Sequence, residues 1–233
     1  FVIEDASHAI GGKYLEKTVG NCQYSDITVF SFHPVKIITT AEGGMAVTQQ
    51  SHIAEKMVLL RSHGITRDAN KMTHKPDGAW YYQQIDLGFN YRMTELQAAL
   101  GLSQLKQVDV FVKLRHDLKL HYDNLVENLP VSTQHQSLES FSALHLYPIQ
   151  IDLAQITRTF SQVFDSLRKS GIGVNVHYIP VHMQPYYKQL GFKSGDFPVA
   201  EDYYTKTLSL PLYSDLSYVQ QKRVIQVLTE VLQ

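Results

Sequence analysis

One cysteine, Cys22, is all that the 233 residues contain. An internal disulfide framework and a cysteine-based zinc site are thereby excluded. A single unpaired thiol fits a reducing, cytoplasmic setting. Its surroundings, "GNCQYSD", offer no basic neighbour to make it a nucleophile. Long apolar runs are also missing. No stretch is long enough to span a bilayer, so no membrane partner is expected. No basic segment followed by an apolar one opens the chain as a signal peptide would. Net charge is scarce: 21 Lys and Arg against 22 Asp and Glu leave −1. Neutralising phosphates needs a cationic surplus, which argues against nucleic acid as a main partner. Repeats and low-complexity tracts are absent. The 11 histidines contain no H-E-x-x-H. His116 and His121 are five apart and do not share a helix face, and His177 and His182 are similarly spaced around Pro180. No metal is expected.

What is present is ordinary globular material, 44% hydrophobic and 18% charged, enough for one large domain or two modest ones. "FVIED" reads as a buried strand already in progress, so further sequence is expected upstream. "DITVFSFH" and "GMAVTQ" read as two more strands, with Gly43-Gly44 turning between them. "HIAEKMVLLRSHG" has helical spacing, with Gly64 as C-cap. Residues 67 to 84 are polar, aromatic and turn-rich, and read as a long loop. From Met93 to Leu129 the pattern predicts one long helix or two joined ones, capped by Thr94 and ended by Pro130. Leu96, Leu100 and Leu105 read as its core face. "ALHLYPIQI" and "GVNVHYI" then read as strands, "ITRTFSQVFDSLRKSG" as a helix, and a last helix runs from about Ser217 to Leu232. The expected division is 1–129, then a small α/β domain over 130–233.

The segment "SFHPVKIITTAEGGMAVT" carries the chemistry. Lys36 sits among Val35, Ile37 and Ile38 rather than among charges. Partial burial there lowers an amine's pKa and frees it for attack on a carbonyl. Such a lysine can form a Schiff base with a carbonyl substrate or with pyridoxal phosphate. Asp5 closes the first strand and His8 follows it. A pyridoxal ring needs a carboxylate to keep its nitrogen protonated, and α/β sheets bind ligands at the carboxyl ends of their strands. Ser31 and nearby N–H groups can hold a phosphate. Taken singly, these four read more simply as a turn lysine, a strand-end cap, a hydrogen-bonded ring and a loop serine.

Together, "VIEDASHAIGGKY", the lysine segment, "LRSHGI" and "DLGFNYRMTELQAALGLSQL" resemble the DegT/DnrJ/EryC1/StrS sugar aminotransferases. The resemblance runs over nearly the whole chain. It implies the α/β fold of pyridoxal-phosphate transferases of fold type I, like aspartate aminotransferase. The chain would hold the C-terminal part of the large domain and the small C-terminal domain. Members carry a further N-terminal segment with a phosphate-binding turn and a ring that stacks on the pyridine. By the same resemblance Lys36 would be the Schiff-base lysine and proton shuttle. Asp5 would meet the pyridinium nitrogen, His8 the ring and its 3-oxygen, and Ser31 the phosphate. Asn90 would reach the phosphate of a partner subunit's cofactor, implying a homodimer with shared sites. His177 and Tyr178, with His182, would meet a nucleotide-sugar substrate, and L-glutamate would donate the amine. "GVNVHYIPVHMQPYYKQLGF" and "GDFPVAEDYYTKTLSLPLY" look like the branch acting on UDP-4-keto-6-deoxy-N-acetyl-β-L-altrosamine in pseudaminic acid biosynthesis. Other nucleotide-linked 4-keto sugars, and a non-catalytic relative of the fold, stay open.

Overall fold

Alternation in "ITVFS" sets the first sheet. Thr28 and Phe30 turn to the buried side, while Ile27, Val29 and Ser31 are half-buried. The computed structural model describes residues 1–233. Its elements run β1 (Ile3–Asp5), β2 (Lys13–Tyr14), β3 (Lys17–Thr18), β4 (Ile27–Ser31), β5 (Gly44–Val47), α1 (Ser51–Leu60), β6 (Ile65–Thr66), β7 (Gln83–Gln84) and α2 (Glu95–Leu105). After these come α3 (Val108–Val126), β8 (Val131–Thr133), β9 (Ser140–Phe141), β10 (Tyr147–Ile151), α4 (Phe160–Lys169), α5 (Pro185–Gln189), α6 (Pro198–Lys206), β11 (Thr207–Leu210) and α7 (Tyr218–Leu232). No helix is long and apolar enough to cross a membrane.

The chain divides into two compact units, Phe1–Asp109 with Glu139–Ala143, and Val110–Leu138 with Leu144–Gln233. The division therefore falls inside α3, ahead of the expected one at 129. The cause is the apolar face of α3. Val112, Leu118, Tyr122 and Val126 are buried, and the last three join the core of the second unit.

In the first unit, β4 is the middle strand of a three-stranded sheet. β1 pairs with it in parallel, Asp5 opposite Val29, and β5 pairs antiparallel, Ser31 opposite Gly44. Parallel pairing brings the carboxyl ends of β1 and β4 to one edge of the sheet, where the candidate residues sit. "FVIED" does supply a strand, but Phe1, Val2 and Ile3 are exposed. β1 is an edge strand with β4 on one side only. A hairpin of β2 and β3 takes β9 as its third strand, so 139–143 belongs to this unit. Gly64 follows α1 at φ +69°, and a Cβ there would lie 2.0 Å from the Asp86 carbonyl oxygen. Only glycine fits that position. The long helical pattern resolves into α2 and α3, and Thr94 closes a capping box on α2 with Gln97. Leu96 is 85% exposed, and Leu100 and Leu105 are exposed too. Apolar spacing marks a face and does not say what covers it.

In the second unit, β10 runs between β11 and β8, antiparallel to both. Tyr147, Ile149 and Ile151 point into a core with Tyr122, Val163, Leu167, Leu208 and Leu228. Tyr122 and Tyr147 stack with ring centres 4.9 Å apart. Burial raises both phenols well above their usual range. Their hydroxyls are satisfied, Tyr122 donating to Pro211 O at 3.0 Å and Tyr147 to Asp123 Oδ1 at 2.7 Å. "GVNVHYI" forms no strand. It contributes a single bridge, Asn175 to Ser209.

Candidate active site

Two side chains of opposite charge meet electrostatically at the edge where β1 and β4 end. Asp5 is the last residue of β1. Its carboxylate accepts from the hydroxyl of Ser7 and from the Ser7 N–H at 3.0 Å. These two bonds, the hydroxyl first, hold its pKa below the ordinary carboxylate value, with smaller help from His8 and Lys36. Lys36 lies five residues beyond the end of β4. Burial lowers its pKa, and the charge of Asp5 partly offsets that. The result is a carboxylate kept ionised beside an amine pushed toward neutrality.

The shielding of Lys36 differs in detail from the sequence expectation. Ile37 and Ile38 are buried and anchor the loop, but Val35 is 63% exposed. The loop is closed by its own hydrogen bonds. Lys36 N donates to His33 O at 3.0 Å, Thr40 N to Phe32 O at 3.0 Å, and Phe32 N to Gly43 O at 2.9 Å. His33 also faces Glu42 at 3.8 Å. Clefts of 970 and 530 Å³ lie elsewhere, and neither is lined by Lys36. The candidate site is defined by the acid–amine pair.

The structure puts Asp5 within electrostatic range of His8 and Lys36 and Ser31 at the end of the adjoining strand. Asn90 is bridged to Ser62. The remaining three belong to the second unit. His177 Nδ1 bonds the Ser209 hydroxyl at 2.9 Å, and Tyr178 stands edge-on to His177 with its ring exposed. His182 is only 7% exposed, and its Nε2 bonds Glu201 at 2.8 Å. Glu201 also accepts from Ser194 Oγ and Gly195 N, both at 2.8 Å. With His182 first, these bonds hold the Glu201 carboxyl down at about 2. Glu201 thus ties α6 to the loop before it and to His182, ahead of α5.

Sequence reasoning missed Ser7 and Gln97. Ser7 had a signal, since Asp-x-Ser favours a side-chain turn onto the residue two on. Gln97 acts through a contact that spacing does not reveal. Thr40 does what its place before the Gly-Gly turn leads one to expect, donating to the Glu42 carbonyl at 2.8 Å.

One prediction follows from the opposite pKa shifts of two lysines. Lys36 is expected to react with limiting acetic anhydride at lower pH than Lys71. Burial lowers the first amine, while its hydrogen bond to Glu55 raises the second. Below the ordinary lysine value, the amine with the lowered pKa has the larger neutral fraction. Mass spectrometry of the labelled peptides reads the order, and equal midpoints would refute it.

An ionised acid placed against a depressed lysine defines a class of site, one suited to carbonyl chemistry on a ring that must stay protonated. The chain belongs to the DegT/DnrJ/EryC1/StrS aminotransferase family, whose model matches residues 1–229. It is 36% identical over 235 residues to a UDP-4-amino-4,6-dideoxy-N-acetyl-beta-L-altrosamine transaminase of Campylobacter jejuni, covering 100% of this chain and 58% of that protein. Among solved structures it is similar to Helicobacter pylori PseC, an aminotransferase involved in the biosynthesis of pseudoaminic acid. That match has a TM-score of 0.88 and 35% identity, over 99% of this chain and 59% of that one. It is also similar to the PLP-form of the putative sugar aminotransferase Spr1654 of Streptococcus pneumoniae, with a TM-score of 0.86 and 28% identity over 99% and 58% of the two chains. The fold is that of fold type I pyridoxal-phosphate transferases. The chain spans a little over half the length of these relatives.

Pyridoxal phosphate is the cofactor of the family, and the residues present fit it. Lys36 offers an amine of lowered pKa, and Asp5 a carboxylate held ionised by Ser7.

Proposed function

We propose that this chain carries the lysine half of a nucleotide-sugar aminotransferase. The observation that supports it is the electrostatic coupling of Asp5 and Lys36, with their pKa values held down by different causes. The amino donor is an amino acid, L-glutamate. The acceptor is the C4 keto group of a nucleotide-linked 4-keto-6-deoxy sugar, and the named relative from Campylobacter jejuni supports UDP-4-keto-6-deoxy-N-acetyl-β-L-altrosamine. The enzyme works in the cytoplasm as a homodimer, and the exposed apolar face of α2 supports a second copy as its cover.

Bound pyridoxal phosphate supplies an electron sink for the bonds at the amino acid's α-carbon. The protein does the rest. Asp5 would keep a proton on the ring nitrogen, and His8 would meet the ring and its 3-oxygen. Ser31 would hold the phosphate, and Asn90 would reach the phosphate bound by a partner subunit. The Lys36 amine would take the proton from the amino acid's α-carbon and act as the proton shuttle. His177 and Tyr178 orient the sugar nucleotide. His182, buried on Glu201, steadies the segment that follows them.

An absorbance titration with pyridoxal phosphate tests the reading. A band near the visible edge is expected, shifting when glutamate is added and missing in Lys36→Ala. If neither this chain nor one extended to the length of its relatives gives the band, the proposal fails. A shift with glutamate but no turnover of UDP-linked 4-keto sugars would overturn the acceptor alone.

A further inference from the structure

The side chain of Gln97 belongs to two structures at once. In α2 it closes the capping box. Its Oε1 accepts from Thr94 N–H at 2.9 Å and from the Thr94 hydroxyl at 3.0 Å, while Thr94 Oγ1 accepts from Gln97 N–H at 3.3 Å. Its Nε2 turns the other way and donates to the Glu42 carbonyl oxygen at 2.9 Å, across 55 residues of sequence. The partners fix the amide's orientation, because a backbone N–H only donates and a carbonyl only accepts. The chain contains two more capping boxes closed by glutamine, at Gln162 and Gln220. The side-chain bonds of those two glutamines stay within their boxes. A cap alone therefore does not account for the tether at Gln97.

Glu42 closes the loop that carries Lys36. Its carbonyl also accepts from Thr40 Oγ1 at 2.8 Å, and Thr40 is 1% exposed. Thr40 in turn donates its N–H to Phe32 O at the loop's other end, at 3.0 Å. One turn further along α2, Gly101 faces the same threonine, and a Cβ there would come 2.7 Å from Thr40 Cγ2. Positions 97 and 101 share one helix face. That face meets the loop at Glu42 and Thr40, by a hydrogen bond at the first position and a close approach at the second.

We propose that Gln97 is a positioning residue for Lys36, setting through Glu42 and Thr40 the loop that holds the amine beside Asp5. The proposal rests on reading Lys36 as the working amine, but its test needs neither cofactor nor turnover, so the two can fail separately. Three variants separate the tether from the cap. Gln97→Glu keeps the acceptor for Thr94 and loses the donor to Glu42. Gln97→Leu loses both, without adding charge. Thr94→Ala weakens the cap and keeps the tether. The pH midpoint of Lys36 acetylation is read by competitive labelling. Lys71, raised by Glu55 in the same unit, reports that the unit is folded.

Gln97→Glu and Gln97→Leu are each expected to raise the Lys36 midpoint by about half a unit. That is about threefold slower labelling at neutral pH, by the logarithmic definition of pKa. Thr94→Ala is expected to match the parent. A shift in Thr94→Ala and Gln97→Leu without one in Gln97→Glu would assign the effect to the cap and overturn the proposal. A shift in Gln97→Glu alone would assign it to the added charge and overturn it equally. No shift in any variant would do the same. If Gln97→Leu loses the raised Lys71 midpoint, it has unfolded, and Gln97→Met, neutral and of similar length, takes its place in the comparison.

Discussion

Lys36→Ala is expected to slow removal of the glutamate α-proton by at least about a hundredfold, the lower range for a positioned general base. The argument is one of supply. At neutral pH an exposed lysine is almost wholly protonated and cannot accept a proton. Burial lowers the Lys36 pKa below that of an exposed lysine, and the opposing pull of Asp5 is the smaller influence. Its loop keeps it in place. Ile37 and Ile38 are buried beneath it, and hydrogen bonds close the loop at Phe32, Thr40 and Gly43. Lys36→Arg is expected to lose nearly as much, since a guanidinium keeps its proton in proteins. The measurement is exchange of the α-proton with deuterated water, followed by NMR on the full-length protein loaded with pyridoxal phosphate. Added methylamine, a small free amine, is expected to restore part of the rate in Lys36→Ala and none in Lys36→Arg. A rate within tenfold of the parent in Lys36→Ala would remove Lys36 from the role.

Much of this site was legible in the sequence because it depends on local order along the chain. A strand ending in an acid, and a second strand ending just before a lysine loop, fix Asp5 and Lys36 once the two strands pair in parallel. Capping residues were legible for the same reason. Thr94 and Ser217 announce helix starts, and both close capping boxes. What depends on distant neighbours was not legible. "FVIED" promised a buried strand, but its exposure depends on which strands flank it. Leu96 promised core and lies at the surface, because periodicity carries no information about the covering partner. His182 looked like a ligand contact, and its Nε2 is taken by Glu201, 19 residues away. Gln97 drew no notice in the sequence, and its side chain spans 55 residues to Glu42.

Arg115→Met is expected to destabilise the second unit by about 3 kcal/mol or more, from the cost of leaving buried carbonyls without donors. Arg115 is 5% exposed, and burial lowers its pKa. One terminal nitrogen, Nη1, serves three carbonyls: Leu144 at 3.1 Å, His145 at 3.2 Å and Leu212 at 3.0 Å. These lie in the segment entering β10 and in the segment leaving β11, which meet at one end of the antiparallel pair, so one side chain on α3 gathers both segments there. Replacing a buried ion by an apolar residue is often neutral, because the desolvation cost of the charge disappears with it. Here the partners are not a second ion. They are backbone oxygens that stay behind when the arginine goes, and methionine donates to none of them. Arg115→Lys is expected to lose less, since an ammonium carries three donors and keeps the charge. Urea unfolding of the parent and both variants reads the difference as a shift in midpoint at constant slope. Equal midpoints for Arg115→Met and the parent would mean that water reaches the three carbonyls and that the arginine holds nothing. The result bears on the site as well. β11 carries Ser209, the hydroxyl that His177 bonds. A variant that frees Leu212 is therefore expected to release His177 before it unfolds the unit, which the His177 ring resonances would report in the same titration.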